Sequence, residues 1–223
     1  MSEPLVRMTA VSKQFPVPDG QVAPVLSDIS CIVTEGQHVA LIGPSGSGKS
    51  TLLHIMAGLI APSSGSVDWP ALGPRDALMP SRLQVVFQME SLFPALDALE
   101  NIALPMILAG QDAEPRARAM LDRFGLTELA HKLPEELSGG QAQRTAMARA
   151  LAIGPALILA DEPTGQLDQA TARRFLDQVI EAAAESGTTL VIATHDPQIA
   201  LRMQSVWTID HGRLAHTLNR SAD

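Results

Sequence analysis

The chain has no tyrosine, a single cysteine, and aromatic residues that make up only 3% of its 223 positions. With Cys31 alone an internal disulfide is impossible, and the sequence fits a reducing compartment. Cys31 lies in an apolar run and reads as a small core side chain. Basic residues are scarce as well. Sixteen Lys and Arg against 24 Asp and Glu leave a net charge of −8 and a pI near 5.2. A nucleic-acid partner wants a basic face, so none is expected. No apolar run approaches the roughly eighteen residues that span a bilayer. Met1-Ser2-Glu3-Pro4 has neither the basic start nor the apolar centre of a signal peptide. A soluble, cytoplasmic chain is expected, and any role at a membrane runs through a partner. His38, His54, His131, His195, His211 and His216 show no metal-ligand spacing with cysteines or carboxylates.

What is present centres on Gly43-Pro44-Ser45-Gly46-Ser47-Gly48-Lys49-Ser50, which fits G-x-x-x-x-G-K-[ST], the phosphate-binding P-loop, without mismatch. Glycines let successive backbone N–H groups turn inward around an anion, where side chains would block them. Lys49 adds a point charge for the β- and γ-phosphates, and the Ser50 hydroxyl is a ligand for Mg²⁺. The helix that starts here aims its positive end at the same phosphates. The flanks agree: His38 to Ile42 reads as a buried strand, and Ser50 to Ala57 as a helix stopped by Gly58. A nucleoside triphosphate is the expected ligand.

Around this loop the chain reads as one α/β unit, long enough for a full core with a small inserted subdomain. Leu5 to Val11 is an early strand, Phe15 to Pro24 a proline-containing connection, and Ile29 to Val33 a further strand. Ala61 to Gly65 is a turn, and residues 66–83 carry too much Pro and Gly to assign. Gln84 to Phe87 is a short strand that ends at Gln88. From Ala98 to Ala152 the texture is helical, with Glu114 to Phe124 ending at Gly125 and Ser138 capping a long helix. Ala156 to Ala160 and Thr189 to Thr194 are unbroken apolar strands separated by a helix over Thr171 to Ser186. Such strands belong to a parallel sheet covered on both faces. Val206 to Ile209, followed by Asp210-His211-Gly212-Arg213, reads as a closing hairpin, and Asn219 to Asp223 as a polar tail.

Ligands of open parallel sheets sit beyond the carboxyl ends of the strands. The polar residues there are Ser50 with its loop, Gln88, Asp161-Glu162 and His195. Asp161 follows five apolar residues, the Walker B pattern, which places a carboxylate to support the Mg²⁺ shell. Glu162 stands next to it as a general base for the attacking water. His195 is read as orienting the γ-phosphate or the water, and Gln88 as reaching both Mg²⁺ and water. Leu137-Ser138-Gly139-Gly140-Gln141 heads the long helix and forms a second anion site at a helix N-terminus.

That pentapeptide, with Gln143-Arg144 and Ala148-Arg149-Ala150 after it, resembles the signature of ATP-binding-cassette (ABC) ATPases. The resemblance runs from about residue 5 to residue 215, with every motif in order. It implies a P-loop cassette with a parallel-sheet core, an N-terminal antiparallel β subdomain and a helical subdomain at about 90–152, together one ATPase domain over 1–223. It also implies that two cassettes pair head to tail, as a homodimer or with a related cassette. Each ATP then lies between one copy's P-loop, Thr51 included, and the other's Ser138, Gly139, Gly140 and Gln141. Asp168, in Gly165-Gln166-Leu167-Asp168, matches the loop that crosses this interface, although a helix-capping aspartate has the same local pattern. Phe15 takes the place of the tyrosine that commonly stacks on adenine. Gln166 stands where relatives usually carry asparagine.

Leu92 to Pro105 and Ala160 to Gly165 look like the branch holding lipoprotein-releasing, macrolide-efflux and cell-division ABC ATPases. There the cassette drives a separate integral membrane permease, which would hold this chain on the inner face of the membrane. Met89-Glu90-Ser91-Leu92-Phe93-Pro94 is apolar for a surface loop and suits a docking groove for a short permease helix; Leu92 and Phe93 equally suit packing in the helical subdomain. The rival classes lack support. ABC repair ATPases insert a long coiled coil, ABC translation factors carry two cassettes per chain, and a P-loop kinase carries no signature. An importer or cell-division cassette stays open as an alternative to export or lipoprotein extraction.

Overall fold

The computed structural model describes residues 3–16, 18, 21–88 and 91–219, and folds them around two sheets. In the smaller, β1 (Val6–Pro16) lies between β2 (Val22–Val33) and β4 (Ser64–Asp68), all antiparallel. The pairing runs from Val6 opposite Val33 to Pro16 opposite Val22, so both ends of the expected connection over 15–24 are strand. The pattern hid this because the register slips near Ala10 and Asp28, which have φ of 49° and 54°. Side chains fill the gaps in the ladder: Ser30 Oγ accepts from Ala10 N at 2.9 Å, and Ser12 Oγ from Asp28 N at 3.0 Å.

The larger sheet has the order β5-β6-β7-β3-β8-β9. Its members are β3 (His38–Ile42), β5 (Leu83–Val86), β6 (Leu157–Asp161), β7 (Thr189–Thr194), β8 (Ser205–Asp210) and β9 (Arg213–Asn219). All are parallel except β9, which returns antiparallel on β8. Successive side chains of a strand point to opposite faces, and both faces here are apolar. Ala40, Ile158, Ala160, Leu190 and Ile192 face one core with the helices α4 (Gly139–Ala152) and α5 (Gln169–Ser186). Val39, Leu41, Leu157, Leu159, Val191 and Ala193 face another, shared with α1 (Lys49–Met56) and the smaller sheet.

β4 begins at Ser64, within the expected turn over 61–65, and runs into the segment that resisted assignment, which also holds a short 3₁₀ turn at Arg75–Ala77. It is fastened to the end of α1 by side chains. Trp69 Nε1 donates to Met56 O at 2.7 Å, and Arg75 Nε to Gly58 O at 2.6 Å. Beyond β5, α2 (Ala98–Leu108), α3 (Glu114–Arg123) and α4 pack on one another. A short α6 (Pro197–Ala200) follows β7.

Asn101 organises the chain between β5 and α2. It is fully buried, and its side-chain oxygen accepts from Phe93 N at 2.8 Å. Its amide nitrogen lies 3.2, 2.8 and 3.0 Å from the carbonyls of Phe93, Leu96 and Asp97. Truncation strands these groups in the interior, where each orphaned partner costs about 1–3 kcal/mol. Asn101→Ala is therefore expected to lower stability by roughly 2–4 kcal/mol in urea unfolding followed by circular dichroism. A loss under about 0.5 kcal/mol would show that the loop does not depend on this side chain.

Candidate functional site

The carboxyl ends of β3, β5, β6 and β7 open onto a cleft of about 510 Å³. The P-loop side supplies Ser45, Gly46, Gly48, Lys49, Ser50 and Thr51; the neighbouring strand ends supply Gln88, Asp161, Glu162 and His195. The remaining loop residues, Gly43, Pro44 and Ser47, line the turn beneath. Gly43 admits no side chain, since a Cβ there would sit 2.2 Å from Ile209 O. Gly48 has φ of 106° and its Cβ would meet Leu26 Cδ2 at 2.7 Å, so the loop is pressed against β2 and β8. Lys49 is buried, its Nζ donating to Gly43 O at 2.9 Å and Pro44 O at 3.1 Å. No side chain caps α1, whereas Asp97, Ser138 and Asp168 cap α2, α4 and α5. The first N–H groups of α1 thus face the cleft without a competing cap, as an anion requires.

Asp161 ends β6 with 5% exposure, and Ser50 donates a hydrogen bond to it. Its Oδ1 is buried without a hydrogen-bond partner. Burial holds the carboxyl above the usual carboxylate range, and Glu162 adds to this; the Ser50 bond, His54 and Lys49 pull the other way. A buried carboxylate oxygen with no donor, beside a serine hydroxyl, is a donor set suited to a hard divalent cation.

Glu162 follows in a left-handed conformation, φ 46°, that a non-glycine residue adopts only under constraint. This turn directs the carboxylate across to β7. Oε1 lies 2.9 Å from His195 Nδ1, while Oε2 accepts from Thr194 Oγ1 at 3.3 Å and His195 N at 3.4 Å. With Nδ1–H donating to Glu162, the other ring nitrogen of His195 is the one left to meet a ligand. The sequence marked Glu162 and His195 as separate strand-end residues. In the fold they form one unit.

The remaining candidates stand outside this cleft. Ser138 and Gln141 cap α4 reciprocally, Ser138 Oγ accepting from Gln141 N at 3.3 Å and Gln141 Oε1 from Ser138 N at 2.8 Å. Gly139 and Gly140 lie against Gln166 and Leu167, where a Cβ would approach Gln166 Oε1 to 2.8 Å and Leu167 Cδ2 to 2.6 Å. Asp168 caps α5 through bonds of 3.0 Å from Ala170 N and Thr171 N, and those bonds hold its carboxyl below the usual range. Phe15 is 38% exposed, with Lys13 Nζ 5.0 Å from its ring centroid. Val25 of β2 lines the cleft and was not foreseen; its neighbours read as a connection, and an aliphatic residue carries no motif. Of the apolar loop after Gln88, Met89 and Glu90 lie outside the described residues. Leu92 is buried and Phe93 is 51% exposed.

The family model described as ABC transporter matches residues 26–165. The chain belongs to the ABC transporter family. It is 46% identical to the lipoprotein-releasing system ATP-binding protein LolD of Legionella pneumophila (strain Paris) over 201 residues, 85% of this chain and 88% of that one. It is 42% identical to LolD of Shewanella oneidensis over 225 residues, 96% and 97% of the two chains. Among solved structures it resembles the ATP-binding cassette MJ0796 in a dimeric post-hydrolysis state bound to ADP and Pi. That match has a TM-score of 0.88 at 32% identity and covers 98% of this chain and all of the other. A second dimeric structure of MJ0796 matches with a TM-score of 0.89. The chain therefore has the cassette fold and is an ABC ATPase. No helix among the described residues is long and apolar enough to cross a membrane.

The unpaired oxygen of Asp161 carries a consequence for stability. A folded-state pKa above the unfolded one means that the native chain loses stability as pH rises from the unfolded pKa, about 3.9, and bears the full penalty above the folded pKa. Asp161→Asn removes the charge and keeps the shape. Without nucleotide, the variant is expected to be more stable than the wild type by about 1–2 kcal/mol at pH 7, with the gap closing near pH 4. Thermal melts of both proteins across that range decide it. A variant less stable than wild type at pH 7 would mean that the carboxylate is satisfied after all.

Proposed function

We propose that this chain hydrolyses ATP as the energising subunit of a membrane complex of the lipoprotein-releasing kind. The observation that carries the reading is the Glu162–His195 unit lining the same cleft as Lys49, Ser50 and Asp161. The substrate class of the complex is supported by the LolD relatives, which match most of this chain.

In this reading Gly43 to Gly48, with Lys49 and Thr51, hold the phosphates. Ser50, Asp161 and Gln88 would hold Mg²⁺, whose charge offsets that of the phosphates when it is bound. Glu162 accepts a proton from a water as that water's oxygen attacks the γ-phosphorus and the bond to ADP breaks. Thr194 and His195 keep the Glu162 carboxylate oriented, and the free edge of His195 meets the γ-phosphate. Phe15 stacks on adenine. Two copies pair, so that Ser138, Gly139, Gly140 and Gln141 of one close over the nucleotide of the other, with Asp168 near the seam. The absence of these residues from the cleft of a single chain supports that arrangement. Residues 1–223 act as one ATPase domain, with about 90–152 as its helical subdomain. An integral membrane permease holds the pair at the cytoplasmic face of the membrane, and nucleic acid takes no part.

Glu162→Gln should reduce turnover by about 100-fold or more, 100-fold being the lower end of the range for losing a general base, while ATP binding persists. Dimer should then accumulate on size-exclusion chromatography in MgATP. A variant that stays monomeric in ATP, or that turns over near the wild-type rate, removes Glu162 from the proposed role.

A further inference from the structure

Arg149 lies in the last turn of α4 and is only 9% exposed, yet no ion pair with a described carboxylate answers its charge. Its contacts among the described residues are neutral. Nη1 donates to Ser91 O at 2.8 Å, Nη2 donates to Ser91 Oγ at 3.0 Å, and the guanidinium carbon sits 5.7 Å from the centroid of the Phe93 ring. Burial pushes the guanidinium below its ordinary range. A buried charge of this kind is a poor means of stabilising a core, since an apolar side chain of similar volume often does as well or better. Stability alone does not explain why an arginine stands here.

The position of its partner does. Ser91 lies three residues beyond Gln88. On the other side of Gln88, Gln143, also on α4, places its Nε2 3.5 Å from Phe87 O. The same helix is tied at its start through Arg144, which donates to Phe124 O at 2.9 Å and Gly140 O at 3.4 Å. Asn101 then fixes Phe93 and the turn that follows. The strand-end glutamine is thus bracketed by two side chains from the helix whose N-terminus is Ser138-Gly139-Gly140.

We propose that Arg149 is a positioning residue for ATP hydrolysis, clamping Ser91 to α4 so that Gln88 and the signature end of that helix move as one piece. The proposal rests on the hydrolytic reading given above. The fork geometry of arginine matters. It reaches the carbonyl and the hydroxyl of one residue together while lying near a ring, which an ammonium does not reproduce.

The test uses the full chain with Arg149→Lys, Arg149→Met, Ser91→Ala and the double variant Arg149→Lys/Ser91→Ala. Hydrogen exchange of the 91–97 amides, steady-state ATPase kinetics and thermal melts are measured on each. For Arg149→Lys and Arg149→Met, exchange in 91–97 is expected to speed up at least tenfold. Their kcat is expected to fall fivefold or more, with KM for ATP within twofold of wild type. Ser91→Ala, which keeps the carbonyl contact, should fall between, and the double variant should be no worse than Arg149→Lys alone, because both act on one contact. Should Arg149→Met fail to fold, Ser91→Ala and Arg149→Lys carry the same comparison. Unchanged exchange in 91–97 would show that there is no clamp. Faster exchange with wild-type kcat would make Arg149 a packing residue only and overturn the proposal. A wild-type chain without ATPase activity would instead sink the hydrolytic reading, an outcome visible before any variant is compared.

Discussion

Burial of β3, β6 and β7 on both faces is the constraint from which the rest of the molecule follows. Each residue of β6 and β7 is buried, and the two cores take alternate side chains of the same strands. A polar group in mid-strand would lose its water without gaining a partner, at a cost of about 1–3 kcal/mol by protein mutational measures. Chemistry is therefore confined to the strand ends, and parallel strands bring those ends to one edge. The register makes this concrete: Ile42 pairs with Thr194 and Asp161 with Ala193, so the P-loop, the Asp161-Glu162 corner and His195 begin within one or two residues of a common line. The cleft is a consequence of how the core is covered.

Within that cleft the charges oppose one another. The chain as a whole is acidic, and two carboxylates stand where a polyphosphate is to be received. Lys49 and the uncapped start of α1 provide the local positive field, while Asp161 sits above its usual pKa because burial outweighs the Ser50 hydrogen bond. Glu162 is handled differently. Its oxygens are engaged by Thr194, His195 and the His195 amide, so it is fixed in direction before any ligand arrives. One carboxylate is left under-satisfied and the other is pre-oriented, and these are the properties wanted of a cation ligand and of a base respectively.

The parts of this site that were legible in the sequence are those whose signals are local. A glycine-rich loop between an apolar strand and a helix, an Asp-Glu pair at a strand end and a serine at a helix start each announce themselves within a few residues. The unforeseen parts depend on distance in sequence. Glu162 meets His195 only because β6 and β7 are neighbours, which no spacing along the chain reveals. The long hairpin of β1 and β2 was cut short because its bulges break the alternation that marks a strand. Residues 66–83 follow no periodicity because Trp69 and Arg75 hold them to the backbone at the end of α1 and just beyond it, and such bonds leave no pattern of their own. Asp168 shows the opposite case: the cap and the interface loop share one local signal, and the fold displays the cap.

The two helix N-termini set out in the sequence differ in a way that bears on pairing. At α1 no side chain competes for the leading N–H groups, and the cleft of the same chain lies in front of them. At α4 the capping box engages the N–H groups of Ser138 and Gln141 and leaves those of Gly139 and Gly140 outside it. A Cβ at Gly139 would come within 2.8 Å of Gln166 Oε1 and one at Gly140 within 2.6 Å of Leu167 Cδ2, so a side chain at either position must displace the end of its neighbour. The signature end is thus held against the segment that runs on to Asp168, and none of its residues lines the P-loop cleft of the same chain. The anion site that the sequence suggests at Ser138-Gly139-Gly140 takes no part in the cleft of its own chain. In the proposed pairing, closing it over the nucleotide of another copy would use both helix ends and bring the signature, Gln166 and Asp168 to the same seam.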